Sequence, residues 1–88
     1  MIYFDTEIDN YVIREFDEDS DSDDLTWHRD AEDRIISSIK ETDWMIQIED
    51  QLPEVIINEI EIKSGVWHRL IKGTGDLTLK IIKENGKQ

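Results

Sequence analysis

The chain has 88 residues, no cysteine and a formal net charge of −12. That length makes one domain with a modest core, and the absence of cysteine excludes a disulfide framework or a thiolate metal site. The charge opposes binding to nucleic acid or anionic membrane and favours basic protein surfaces or cations as partners.

The apolar residues are unusual in kind, with fifteen Ile and five Leu against one Ala. β-branched side chains suit pleated, half-buried surfaces and are stiff in helices, so the composition predicts an all-β domain. The charge is uneven. Residues 1–33 hold thirteen Asp/Glu and two Arg, a net of −11, whereas residues 34–88 hold nine Asp/Glu and eight Lys/Arg, a net of −1. No basic leader precedes an apolar run near the start, and no run reaches the length of a membrane span; a soluble, cytoplasmic protein is the expectation.

In chain order, Met1 to Phe4 reads as a short strand and Tyr11 to Phe16 as a second, at a sheet edge. Asp17-Glu18-Asp19-Ser20-Asp21-Ser22-Asp23-Asp24 follows, with six acids in eight residues. Like charges hold such a segment solvated, so residues 17–24 are expected to form a mobile loop. Leu25 to His28 starts the next strand, and Arg34 to Ile39 is another. Trp44 to Ile48 alternates, with Trp44, Ile46 and Ile48 on one face. Leu52-Pro53 breaks the pattern, since proline donates no ladder bond. Val55 to Ile62 reads as strand, turn and strand. Trp67 to Lys72 and Leu77 to Lys83 read as a hairpin joined at Gly73-Thr74-Gly75-Asp76. The polar tail from Glu84 is expected to fray. About eight short strands with frequent turns predict a sandwich or barrel spanning residues 1–88 as one domain.

Two segments share a Trp-His-Arg core: Trp27-His28-Arg29 and Trp67-His68-Arg69. They hold both histidines of the chain. From Trp27 onward the order of motifs resembles a minimal cupin, a small jelly-roll barrel. Lys63-Ser64-Gly65-Val66-Trp67-His68 matches the glycine and histidine of the second cupin motif, with Lys63 in the proline place. His28-Arg29-Asp30 stands where the first motif has its histidine pair, Asp30 replacing the second histidine. Arg34 or Ile35 falls where that motif has its glutamate. The segment Trp27 to Lys80 is also similar to small cupin-like proteins encoded by tailed bacteriophages. The resemblance implies a cupin-like jelly-roll of about eight antiparallel strands, and in such a barrel His68 would lie opposite His28 and Asp30.

Positions 28 and 30 of a strand share a face. Two histidines and a carboxylate form the facial set of non-haem Fe(II) sites and also suit Zn or Mn. Arg34 argues against a metal, because a permanent guanidinium on the same face is better placed to pair bidentately with Asp30. The competing expectation is therefore a metal-free polar cluster of His28, Asp30, Arg34 and His68, with no cofactor. Trp27 and Trp67 would face away from the histidines, with Arg29 and Arg69 turned to the surface or to a subunit contact. Asp19-Ser20-Asp21-Ser22-Asp23 imitates the start of a calcium loop but lacks the glycine and flanking helices that such a loop needs.

The sequence thus favours a non-catalytic accessory binding protein, phage-encoded if the resemblance holds, and acting in the host cytoplasm. It would be a homodimer that engages a basic protein surface through Asp17, Glu18, Asp19, Asp21, Asp23 and Asp24, with no direct binding to nucleic acid or membrane. The alternatives are a metal-dependent cupin enzyme using His28, Asp30 and His68 with one divalent Fe, Zn or Mn, and a DNA mimic that occupies a nucleic-acid-binding protein.

Overall fold

A computed structural model describes residues 3–84. Eight strands run β1 (Phe4–Ile8), β2 (Tyr11–Phe16), β3 (Asp33–Ser38), β4 (Met45–Ile48), β5 (Glu54–Val55), β6 (Ile60–Ile62), β7 (His68–Ile71) and β8 (Leu77–Glu84), with one 3-10 turn at Asp23–Leu25. They form an antiparallel five-stranded sheet, β1-β2-β8-β3-β6, facing a three-stranded sheet, β5-β4-β7. No helix among the described residues is long and apolar enough to cross a membrane.

The alternation read from the sequence decides which side chains meet between the sheets. In β8, Leu77, Leu79 and Ile81 are buried while Thr78, Lys80 and Ile82 face outward and are only partly covered. Val12 and Phe16 of β2, Ile36 of β3 and Ile60 and Ile62 of β6 extend the same inner face. The small sheet answers with Ile46 and Leu70, and Trp44 stands fully buried at its margin. A period of two thus buries one side of each ribbon.

Three expectations about strand pairing need correction. Tyr11–Phe16 is not an edge strand; it pairs with both β1 and β8, and β1 is the edge. Asp9, at φ 48, turns the chain tightly enough for β1 to fold back onto β2. Leu25 to His28 does not begin a strand. Thr26 hydrogen-bonds back to Asp23, and ladder pairing is limited to one bridge between His28 and His68. Finally, β7 and β8 are not a hairpin, because they belong to different sheets.

The glycines at 73 and 75 instead turn the corner between the sheets. A Cβ at Gly73 would sit 2.8 Å from the Trp44 backbone nitrogen and would collide with the Asp43 side chain, while Gly75 takes φ +72. Asp43 accepts hydrogen bonds from the Thr74 amide and hydroxyl, which hold its pKa below the usual carboxylate value. Trp44 Nε1 donates to the Gly75 carbonyl at 3.0 Å. Gly73→Ala is therefore expected to cost about 2 kcal/mol through overpacking at this corner. A urea midpoint equal to that of the unsubstituted protein would show that the corner has slack.

Residues 17–24 are pinned rather than solvated throughout. Ser20 and Ser22 are buried. The Asp17 amide donates to Ser20 Oγ, the Asp24 amide to Ser22 Oγ, and the Glu18 amide to Asp76. Asp24 is drawn inward by buried Arg14, which also holds Asp5. The sequence offered no reason for the serines to turn inward; short hydroxyl side chains can close local turns on the backbone. Of the tail expected to fray, Glu84 ends β8, and residues 85–88 lie outside the described residues. Of the strand expected at Met1 to Phe4, residues 1–2 also lie outside them.

Candidate metal centre

The two Trp-His-Arg segments lie antiparallel and meet at their centres. His28 N donates to His68 O at 3.0 Å and His68 N donates to His28 O at 2.9 Å. Because the core is the same in both, centre-on-centre pairing is self-complementary: His opposes His, and each Trp opposes the other segment's Arg. The turn before β7 fixes this register. Val66 N bonds to Lys63 O, Gly65 takes φ +80, and Gly65 N donates to Asp30 O at 2.8 Å. Glycine reaches that left-handed conformation without the penalty a Cβ brings.

On the inner side, the imidazoles face each other with ring centroids 4.3 Å apart. Each Nδ1 lies 2.8 Å from a carbonyl two residues upstream, Thr26 O for His28 and Val66 O for His68. A carbonyl oxygen only accepts, so each Nδ1 carries the proton and donates. In the neutral ring each Nε2 is then left with its lone pair. Those lone pairs and the Asp30 carboxylate converge: one donor atom from each of His28, Asp30 and His68 lies within 4.8 Å of the other two.

Asp30 is the third of these donors. Its Oδ2 is buried and has no hydrogen-bond partner, although His68 Nε2 is 3.2 Å away. The short distance would be an ion pair only with a protonated imidazole. Burial lowers the His68 pKa, and nearby His28 and Arg34 push in the same direction, against the Val66 hydrogen bond and the Asp30 charge. A neutral His68, with its proton on Nδ1, offers Oδ2 nothing to accept. Three electron-pair donors therefore face one another without a proton between them, the situation that a divalent cation relieves.

Arg34 is where the sequence expectation needs revision. It does not pair bidentately with Asp30. Its Nε donates to Glu32 Oε2 at 2.7 Å, and only Nη2 approaches Asp30 Oδ1, at 3.4 Å. Glu32 compensates the guanidinium, which orients Asp30 through one oxygen and leaves the other free toward the imidazoles. The four residues of the expected cluster do come together, but hydrogen bonds do not close it. Glu32, in the bend just before β3, was not singled out from sequence, since a carboxylate two residues ahead of an arginine is not a motif.

Beside the imidazoles and Arg34 lies a cavity of about 30 Å³, walled by Ile36, Ile46 and Leu79 among others. A larger hollow of about 330 Å³ lies against Phe16, Lys40 and Asp76, away from the histidines. Among the described residues the acidic run forms no cluster of convergent metal donors.

Comparison with solved structures places the architecture. A cupin domain from Bordetella pertussis Tohama I superposes with a TM-score of 0.66 at 15 % identity, over 96 % of this chain and 95 % of that one. A cupin-2 domain protein from Shewanella frigidimarina NCIMB 400 gives 0.63 at 18 % identity, over 97 % and 83 %. Fe(II) HppE gives 0.61 at 17 % identity, over 93 % of this chain and 48 % of that one. At such identities the likeness is one of fold: the chain is an all-β, cupin-like jelly roll. No protein-family model matches the sequence, and no curated protein does.

Proposed function

We propose that this chain is a metal-binding cupin-like module that holds one divalent ion through His28 Nε2, Asp30 Oδ2 and His68 Nε2. The observation that carries the reading is the buried Asp30 Oδ2, without a donor and facing two imidazoles whose protons are committed elsewhere. Two histidines and a carboxylate suit Fe(II), Zn or Mn. Bound there, the ion would supply Lewis acidity with open coordination positions. The chain's own residues do the rest. Thr26 and Val66 fix the tautomers, Arg34 and Glu32 orient the carboxylate, and apolar walls limit water. Held there, the ion would tie the 28–30 segment to β7.

The expected result is stabilisation by metal. Protein purified without a histidine tag and stripped with a chelator should gain thermal stability on adding Zn(II), Mn(II) or, anaerobically, Fe(II). A ligand present at a hundredfold its dissociation constant adds about 2.7 kcal/mol. Asp30→Ala and His68→Ala should each abolish the gain. A melting temperature unmoved by all three ions at millimolar concentration would sink the reading.

The pH dependence has a defined sign. The His68 pKa is lowered in the folded state, chiefly by burial. Unfolded histidine takes up a proton near pH 6.5, so the unfolded state binds protons first as pH falls. The contribution of neutral His68 to metal-free stability is complete above about pH 6.5 and is lost below it, down through the lowered folded pKa. His68→Gln should flatten the urea midpoint between pH 7.5 and 5.5.

The acidic run remains a second candidate surface. Asp17, Glu18, Asp19, Asp21 and Asp23 are exposed, whereas Asp24 is committed to Arg14. A DNA mimic needs a continuous row of carboxylates, and inward-turned Ser20 and Ser22 interrupt this one. A phage-encoded accessory role rests on the resemblance of the Trp27 to Lys80 segment alone.

A further inference from the structure

The outer side of the paired Trp-His-Arg segments has no role in the metal centre. There Arg29 lies over the Trp67 ring and Arg69 over the Trp27 ring, each 5.0 Å from the centroid. The indoles remain about 40 % exposed. The chain has 22 carboxylate side chains against 10 basic ones, yet among the described residues neither arginine forms an ion pair. Arg29 is exposed, and Arg69 donates only to Gln47 Oε1. Two guanidiniums and two half-exposed indoles concentrated on one small area form the composition that dominates binding energy at protein interfaces.

The complementary charge is on the same chain. The run 17–24 ends three residues before Trp27, and its 3-10 turn packs against β7. It does not fold onto its own patch: Asp24 turns to Arg14, and Asp17 accepts from its own loop. With donor patch and acidic run side by side, a two-fold axis between two copies lets each run meet the other's arginines simultaneously. An isologous contact doubles every interaction in this way.

We infer that the Trp27, Arg29, Trp67 and Arg69 face is a self-association surface whose occupant is the acidic run of a second copy of this chain. The basic surface that the net charge demands of a partner is then carried by the protein itself. The overall −12 on each copy opposes approach at long range. At 0.15 M salt the screening length is about 8 Å, so that long-range repulsion falls away while ion pairs covered by the contact are screened much less.

Sedimentation velocity at 0.15 M salt tests this with charge exchange. The unsubstituted protein should show concentration-dependent dimerisation. Arg29→Glu/Arg69→Glu sets an acidic run against an acidic patch, and Glu18→Lys/Asp19→Lys/Asp21→Lys/Asp23→Lys, which leaves two acids against four lysines, sets a basic run against a basic patch. Each variant alone should associate at least tenfold more weakly. Mixed in equal amounts they should form a heterodimer, because each run then meets a patch of opposite sign. Circular dichroism of the separate variants checks that both fold. A monomeric unsubstituted protein at several hundred micromolar overturns the inference. So does undiminished association of either variant, or a mixture that stays monomeric.

Discussion

Trp44→Ala is expected to lower the free energy of unfolding by about 3–5 kcal/mol, the range for removing a buried aromatic side chain from a core. A domain of this size has roughly 5–15 kcal/mol in all, so the variant should be marginally folded at best. Trp44 is fully buried and stands 5.9 Å, ring to ring, from Phe16 of the facing sheet. Its indole N–H is satisfied by the Gly75 carbonyl, and its own carbonyl accepts from Ile56 N. The residue thus joins the entry to β4, through its backbone, to the segment after β5 and, through its indole, to the corner between β7 and β8. Trp44→Phe should retain most of the packing and lose only the Gly75 hydrogen bond. Urea denaturation of both variants checks the claim, and a loss below 1 kcal/mol for Trp44→Ala would show that the sheets hold together without this pivot.

Arg14→Met is expected to cost about 2–3 kcal/mol. Removing one partner of a buried ion pair typically costs about 3–5 kcal/mol, and the partial exposure of the two carboxylates reduces that figure. Arg14 is 7 % exposed on the inner face of β2. Its Nε and Nη2 grip both oxygens of Asp5 at 2.8 and 2.9 Å, and its Nη1 reaches Asp24 at 3.1 Å. Burial works against its charge, but the hydrogen bond to Asp5 and the charges of Asp24 and Asp5 outweigh it and raise its pKa further. The guanidinium also stacks over Tyr3. Losing it leaves two carboxylates facing each other and releases the acidic run from its inner anchor. Hydrogen exchange at the Asp24 amide, which donates to Ser22 Oγ, should accelerate in Arg14→Met well beyond the change at β8 amides. Equal acceleration everywhere would mean that Arg14 supports the whole fold rather than this loop.

The all-β class was legible because it depends on composition and a period of two. Fifteen isoleucines against one alanine leave little to build a helix from, and Leu77, Leu79 and Ile81 announce the face they bury. The histidine pair was legible for a related reason. Two copies of one tripeptide in an antiparallel barrel can pair centre on centre, and parity then sends both imidazoles to the same side. Strand partners were not legible. Gly73 to Asp76 has hairpin chemistry, yet the same residues turn a corner when Asp43 and Trp44 occupy the inside of the bend.

Local alternation, turn chemistry and residue type are short-range properties, and they settled the β ribbons, the inward histidines and the outward tryptophans before any folding. Long-range position is what the chain alone left open. Whether Arg34 competes with a metal or orients its ligand depends on which carboxylates stand beside it. Only the packed barrel brings His68 of β7 to Asp30 Oδ2 and leaves that oxygen without a donor. The acidic run shows the same division: its charge is written in the sequence, but the inward pull of Arg14, which pairs with residues nine and ten positions away, exists only once the strands have come together.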